Sequence, residues 1–287
     1  MSDAPPTPTA PSTLDENKLL VEFERKNIPA QYREYYATKR NNFFASVQGF
    51  NEMWDYYLRL DAVWMRSFAD LHVARDPNRM FPLLLYFNAH AKIRIAMELA
   101  FTGCMSEARS ILRDAVEFVA HAHWMLTDPE LQKTWLSKND NEDALNAFKG
   151  AFEHSKKDQV FKGLDELHKT WGELSETGSH ANINATVDRF VQVTDDENIE
   201  FKLNYTGVHN QQLWGMMIFS MLLTCSTMES VFFSDHEDRL KLDNELMQMR
   251  ADCDRVKEQL RQAVIVRYRL EPPGGVHVAP KPIIYRP

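Results

Sequence analysis

The stretch from Glu98 to Trp124 constrains the fold more than any other part of the chain. Small and apolar residues recur there at the spacing of one buried helix face, at Ala108, Ile111, Leu112, Ala115, Val116 and Val119. Gly103 lies where a helix C-terminal cap is expected, so a preceding helix over roughly 79–102 ends there. The second helix continues to Leu126. The pattern therefore predicts two long helices that fold back on each other as a hairpin.

Polar residues follow both predicted helices at four-residue steps. The second arm carries Arg109, Arg113, Glu117 and His121, and the first carries His90, Arg94 and Glu98. Residues four apart lie above one another on a helix, so each set forms one line. Two such lines among apolar neighbours indicate either a polar site between the arms or a set of surface and interhelical salt bridges.

The site hypothesis assigns a role to each of these residues. Arg113 and Arg94 would hold an anion, and Glu117 would tune His121 or His180. We therefore predict Arg113, Glu117 and His180 as catalytic residues. Substrate contacts are predicted from Arg94, Glu98, His121 and Ser175. His180 follows Ser179 at the end of a predicted helix, where capping of that helix is the alternative role.

A metal centre is not predicted. His121 and His123 are two apart on a helix and point about 200° away from each other, so they cannot chelate one ion. A site assembled from His90, Glu98, Glu117 and His121 would lack matching ligands on other helices. Glycine-rich phosphate loops and nucleophile elbows do not occur either. We expect no cofactor and no metal.

The remaining sequence favours a mainly α, single-domain helical bundle, because glycine is sparse and helix-forming residues are abundant. Residues 1–13 are predicted to be a disordered tail, 14–235 the bundle, 236–268 a long C-terminal helix, and 269–287 a flexible proline-rich tail. Ile199, Phe201, Leu203 and Tyr205 alternate strictly, which predicts a small β-hairpin over about 189–194 and 199–205.

The predicted C-terminal helix carries a heptad seam. Leu242, Met249, Val256 and Ala263 repeat at sevens, and Leu246, Cys253 and Leu260 interleave with them. One interpretation is a coiled coil with a second copy or with a protein partner. The other is a long helix laid along its own domain. The seam therefore predicts a homodimer or a protein partner, with burial inside the chain as the alternative.

The net charge, the apolar segments and the cysteines indicate which partners and which compartment to expect. The net charge of −8 does not favour nucleic acid as a partner. The basic cluster Lys156, Lys157 and Lys162 is interpreted as solvated surface, with contact to RNA as the alternative. The uncharged run from Leu213 to Met228 is 16 residues, short of a bilayer span, so we predict a central buried helix and no membrane partner, with a membrane segment as the alternative. Three distant cysteines and no signal-peptide pattern predict a cytoplasmic protein.

Two blocks carry a resemblance to known proteins. ARSILRDAVEFVAHAHWM and, some fifty residues on, WGELSETGSHAN together resemble an uncharacterised family of all-helical bacterial and phage proteins. That family pairs an Arg-x-x-x-Glu helix with a Leu-Ser…His block. The matching positions are Arg113, Glu117, Leu174, Ser175 and His180, and the likeness covers about 80–185.

More distantly, a helical bundle with polar Arg and His is similar to the HEPN proteins, whose active members are metal-independent ribonucleases with an Arg-x(4–6)-His motif. Here the gap from Arg113 to His121 is longer than that motif allows. We carry two hypotheses of function. One is a helical protein that acts by self-association or with a protein partner. The other is a HEPN-like ribonuclease or nucleotide-binding protein, which would imply a role in phage defence or toxin–antitoxin function.

Overall fold

The computed structural model describes residues 18, 21–23, 25–71, 77–152, 157–178, 190–194, 199–203 and 210–268. The protein is mainly helical, as predicted. The helices are α1 (Ala30–Gly49), α2 (Asn51–Asp70), α3 (Pro77–Phe101), α4 (Met105–Thr127), α5 (Pro129–Leu136), α6 (Glu142–Phe152), α7 (Lys157–Val160), α8 (Asp165–Gly178), α9 (Gln211–His236) and α10 (Asn244–Tyr268).

The predicted helical hairpin is confirmed as α3 and α4, which pack along each other. Gly103 joins them with a φ of 84°, a conformation that glycine adopts without a steric penalty. The Cys104 amide donates to the Leu99 carbonyl at 2.9 Å, which satisfies one of the last carbonyls of α3. The apolar face predicted for α4 is buried, from Ala108 through Val119.

Helix α9 lies at the centre of the bundle and packs against α2, α3, α4 and α8. Its sequence is long and apolar enough to cross a membrane by composition, and half of its most apolar window is buried inside the protein. Asn210 caps its first turn by accepting from the Leu213 amide. Phe232 stacks on Trp64 of α2 with ring centroids 4.8 Å apart, and Trp64 stacks in turn on His90 of α3. These rings join three helices in one core.

The heptad seam of the last helix packs within the chain. Leu246, Cys253 and Leu260 are buried, and α10 lies along α2. Leu242 precedes the helix and stays exposed. Gly215 of α9 allows this packing, because an added Cβ would lie 2.0 Å from the Tyr268 hydroxyl. The periodicity therefore identified the buried face of α10, and α2 of the same chain covers it.

Two short strands complete the described residues. Phe190–Thr194 (β1) and Ile199–Leu203 (β2) pair antiparallel, with Gln192 opposite Phe201. The predicted turn between them, 195–198, lies outside the described residues, as do the predicted tails 1–13 and 269–287.

Candidate functional site

Glu117 lies between Arg113 and His121 in the polar line on α4. Its carboxylate lies 3.9 Å from Arg113 Nη2 and 4.0 Å from His121 Nε2, one turn away on either side. Arg113 also donates to Asp114 at 3.0 Å. The four-residue spacing thus brings Arg113, Glu117 and His121 together, as the sequence predicted.

Lys157 of α7 completes this cluster and was not predicted. Its Nζ donates to Glu117 Oε1 at 2.6 Å, and its side chain is only 6% exposed. The ammonium also lies 4.8 Å from the centre of the Trp171 ring, where the aromatic face attracts a cation. The interpretation of Lys157 as solvated surface was wrong, because this lysine enters the groove between α4 and α8. Its local sequence pattern does not distinguish it from Lys162, which is exposed.

The charge state of Glu117 follows from these neighbours. Burial alone would raise its pKa, but the hydrogen bond and charge of Lys157, with the Arg113 guanidinium nearby, lower it overall. The carboxylate is therefore ionised and neutralised by Lys157. An ionised, paired carboxylate with a lowered pKa is a weak proton acceptor near pH 7.

His121 is a neutral imidazole. Burial lowers its pKa to about 4, against the opposing effect of Glu117. The ring packs edge-on against Phe152, and Nε2 is buried without a hydrogen-bond partner. The Nε of Arg113 is also buried without a partner. Two polar nitrogens beside the Glu117–Lys157 pair are thus unsatisfied, which is unusual for a folded protein.

The polar line of α3 points to other helices. Arg94 binds Asp61 of α2 through two 2.7 Å hydrogen bonds, and His90 Nε2 lies 2.8 Å from the same carboxylate. These contacts hold the pKa of Asp61 well below its usual range even though burial opposes them. Glu98 pairs at the surface with Lys39 of α1. The structure therefore does not bring Arg94 and Glu98 together with Arg113 and Glu117.

The remaining predicted residues lie in or beyond α8. The Ser175 hydroxyl donates to the Trp171 carbonyl one turn earlier, at 2.7 Å. Its neighbour Leu174 is buried and lines a cavity of about 50 Å³ between α4, α8 and α9, which is large enough for a water molecule. His180 lies outside the described residues. The placement of the predicted Ser…His block is thus described only for Leu174 and Ser175.

A second polar cluster surrounds Asp235 at the end of α9, and the sequence did not reveal it. The buried Tyr86 hydroxyl donates to this carboxylate, and His123 Nδ1 lies 2.9 Å from Oδ1. The hydrogen bond to Asp235 raises the pKa of His123, and burial raises that of Tyr86. His123 thus contacts α9, whereas His121 packs against Phe152 of α6.

We expect acid to destabilise the protein partly through His121. An unfolded histidine has a pKa near 6.5 and the folded one about 4, so the unfolded chain binds the extra proton between these values. The stabilisation that comes from keeping His121 neutral is complete above pH 6.5 and is lost as the pH falls towards 4. At pH 5 the loss is about 2 kcal/mol. Urea unfolding of wild type and His121→Phe at pH 7 and pH 5 measures it.

His121→Phe retains a ring against Phe152, so the comparison isolates the imidazole. The variant should lose less stability than wild type between the two pH values. An equal loss in both proteins would show that His121 is not the responsible group.

No set of three His, Cys, Asp or Glu side chains within the described ranges lies close enough to hold a metal ion. The described cysteines, Cys104, Cys225 and Cys253, are free thiols buried in the core. No protein-family model, curated protein or solved structure matches this chain.

Proposed function

We propose that the protein acts by association, with a second copy or with a protein partner, rather than by a chemical step. The observation that supports this is helix α1. Of its 20 residues only Ser46 is buried, yet it carries Tyr32, Tyr35, Tyr36 and Phe44. Tyr36 and Phe44 are 57% and 62% exposed. Aromatic residues are enriched at protein interfaces, and a helix that exposes four of them has surface to bury.

The predicted seam on α10 is not the surface that we propose. Leu246 and Leu260 are buried against the same chain, so they are not free to bind a second helix. We therefore propose α1, and not the heptad face of α10, as the surface of association. Lysine substitutions in the seam would unfold α10 from α2 and would not report on association.

Sedimentation velocity tests the proposal. Wild type should sediment as a dimer or larger species, and Tyr32→Ser/Tyr36→Ser/Phe44→Ser should raise the dissociation constant at least about tenfold, the effect of 1.4 kcal/mol. The exposed positions keep the variant folded. Leu136→Ser, which removes an equally exposed apolar side chain from α5, is the matched control. A monomeric wild type at high concentration and in cell extract would contradict the proposal.

A second candidate is the HEPN-like ribonuclease or nucleotide-binding function. It is favoured by the unsatisfied Arg113 Nε and His121 Nε2 beside the cation of Lys157. In that function Arg113 would stabilise phosphate charge, with His180 as general acid or base. RNA cleavage that survives both Arg113→Ala and His180→Ala in folded protein would exclude it. Lys39→Ala, which removes a surface cation, is the control.

A further inference from the structure

Helix α3 exposes a continuous apolar stripe to solvent. Its members are Met80, Leu84, Phe87, Ala91 and Ile95, at steps of four, three, four and four. Met80 and Ile95 at the two ends are 51% and 48% exposed. These steps place all five on one side of the helix, while Tyr86, Ile93 and Met97 on the other side are in the core. A stripe of this spacing is typical of a helix that packs against a second helix.

We propose that the α3 stripe binds the α3 stripe of a second copy, antiparallel, about a two-fold axis between Phe87 and Asn88. This inference rests on the proposed association and names the partner and the contact. The stripe is self-complementary about that axis. Met80 falls opposite Ile95 of the second copy, and Leu84 falls opposite Ala91. Next to the axis the large Leu84 thus meets the small Ala91, which lets the two helices approach closely, and at the ends Met80 packs on Ile95.

The charges on this side of α3 permit the pairing. The same two-fold places Arg94 opposite Phe81 rather than opposite another cation. Asp61 of the same chain already neutralises Arg94 with two hydrogen bonds. Asn88 lies next to the axis, and its amide donates to the Leu84 carbonyl in its own helix at 3.1 Å. The exposed side of α3 therefore brings no like charges together at the contact.

Helix α1 extends the surface. Lys39 pairs with Glu98 and the Phe43 ring packs on Phe101, so α1 runs beside α3 in the same direction. At equal rise per residue, Tyr36 is level with Ile95. With large side chains of roughly 200 Å² each, the exposed parts of the stripe and of Tyr32 and Tyr36, on the α1 side that faces α3, sum to roughly 600 Å² per copy. A standard stable interface buries roughly 800 Å² per partner, and its polar rim supplies the rest.

Cysteine cross-linking tests the axis. Asn88→Cys places two thiols together at the two-fold, so a short bismaleimide should link most of the protein into dimers. Met80→Cys alone should not react across copies, because its two sites are about 22 Å apart along the helices. Met80→Cys/Ile95→Cys should cross-link again. The natural cysteines are buried, which keeps the background low.

A point substitution gives an independent measurement. Leu84→Lys should raise the dimer dissociation constant at least about tenfold, equivalent to 1.4 kcal/mol. Its native side chain is 42% exposed, so the monomer remains folded. If wild type is a dimer but Asn88→Cys and the double-cysteine variant do not cross-link, the α3 contact is wrong and the proposed association stands. A protein that forms no complex of any kind would overturn both.

Discussion

Glu117→Gln is expected to lower the free energy of unfolding by about 3 kcal/mol, at the lower end of the range for breaking a buried ion pair. The substitution leaves Lys157 with a 6% exposed side chain and no carboxylate at 2.6 Å. The lower end applies because the Glu117 side chain itself is 26% exposed. Urea unfolding at pH 7 measures the loss.

Two further variants test the reason for that loss. Glu117→Gln/Lys157→Met removes both charges and should recover most of the stability, because an uncharged pair needs no desolvated counter-ion. Glu98→Gln is the matched control, since Glu98 pairs with Lys39 at the surface and should contribute less than about 1 kcal/mol. A Glu117→Gln variant as stable as Glu98→Gln would show that Lys157 is solvated in solution.

Asp235→Ala is expected to lower the free energy of unfolding by about 3 kcal/mol. The fully buried Tyr86 hydroxyl would lose its acceptor, which alone is a loss of about 1–3 kcal/mol, and His123 would lose the same partner. The effect should be smaller when Tyr86→Phe is already present, because the orphaned hydroxyl is then absent. A double-mutant cycle by urea unfolding measures this coupling.

The pH dependence of the Asp235→Ala effect has a defined sign. Asp235 raises the pKa of His123 in the folded protein. The stability that this pair contributes is therefore complete below the unfolded pKa of about 6.5, and it is lost as the pH rises through the higher folded pKa. The substitution should therefore be more damaging at pH 6 than at pH 9. Asp238→Ala, which removes an exposed partner of Arg79, is the control. Equal effects of the two substitutions would contradict the role of Asp235.

The helical periodicity of the sequence was sufficient to predict the two arms of the α3–α4 hairpin. It also predicted that Arg113, Glu117 and His121 lie side by side. Both depend on the 3.6-residue repeat, which fixes which side chains of one helix are neighbours. The same geometry separated His121 from His123. It also identified the buried face of α10 through Leu246 and Leu260.

The partners of those side chains were decided by the tertiary structure alone. Lys157 is 40 residues from Glu117, and Asp235 is 112 residues from His123. Arg94 likewise binds Asp61 of α2 rather than any residue of α4. A heptad pattern indicates that one face of a helix is buried. Only the tertiary structure shows that α2 of the same chain covers that face of α10. The physical reason is that helix periodicity orders neighbours within one helix, whereas contacts between helices depend on how distant segments pack in one core.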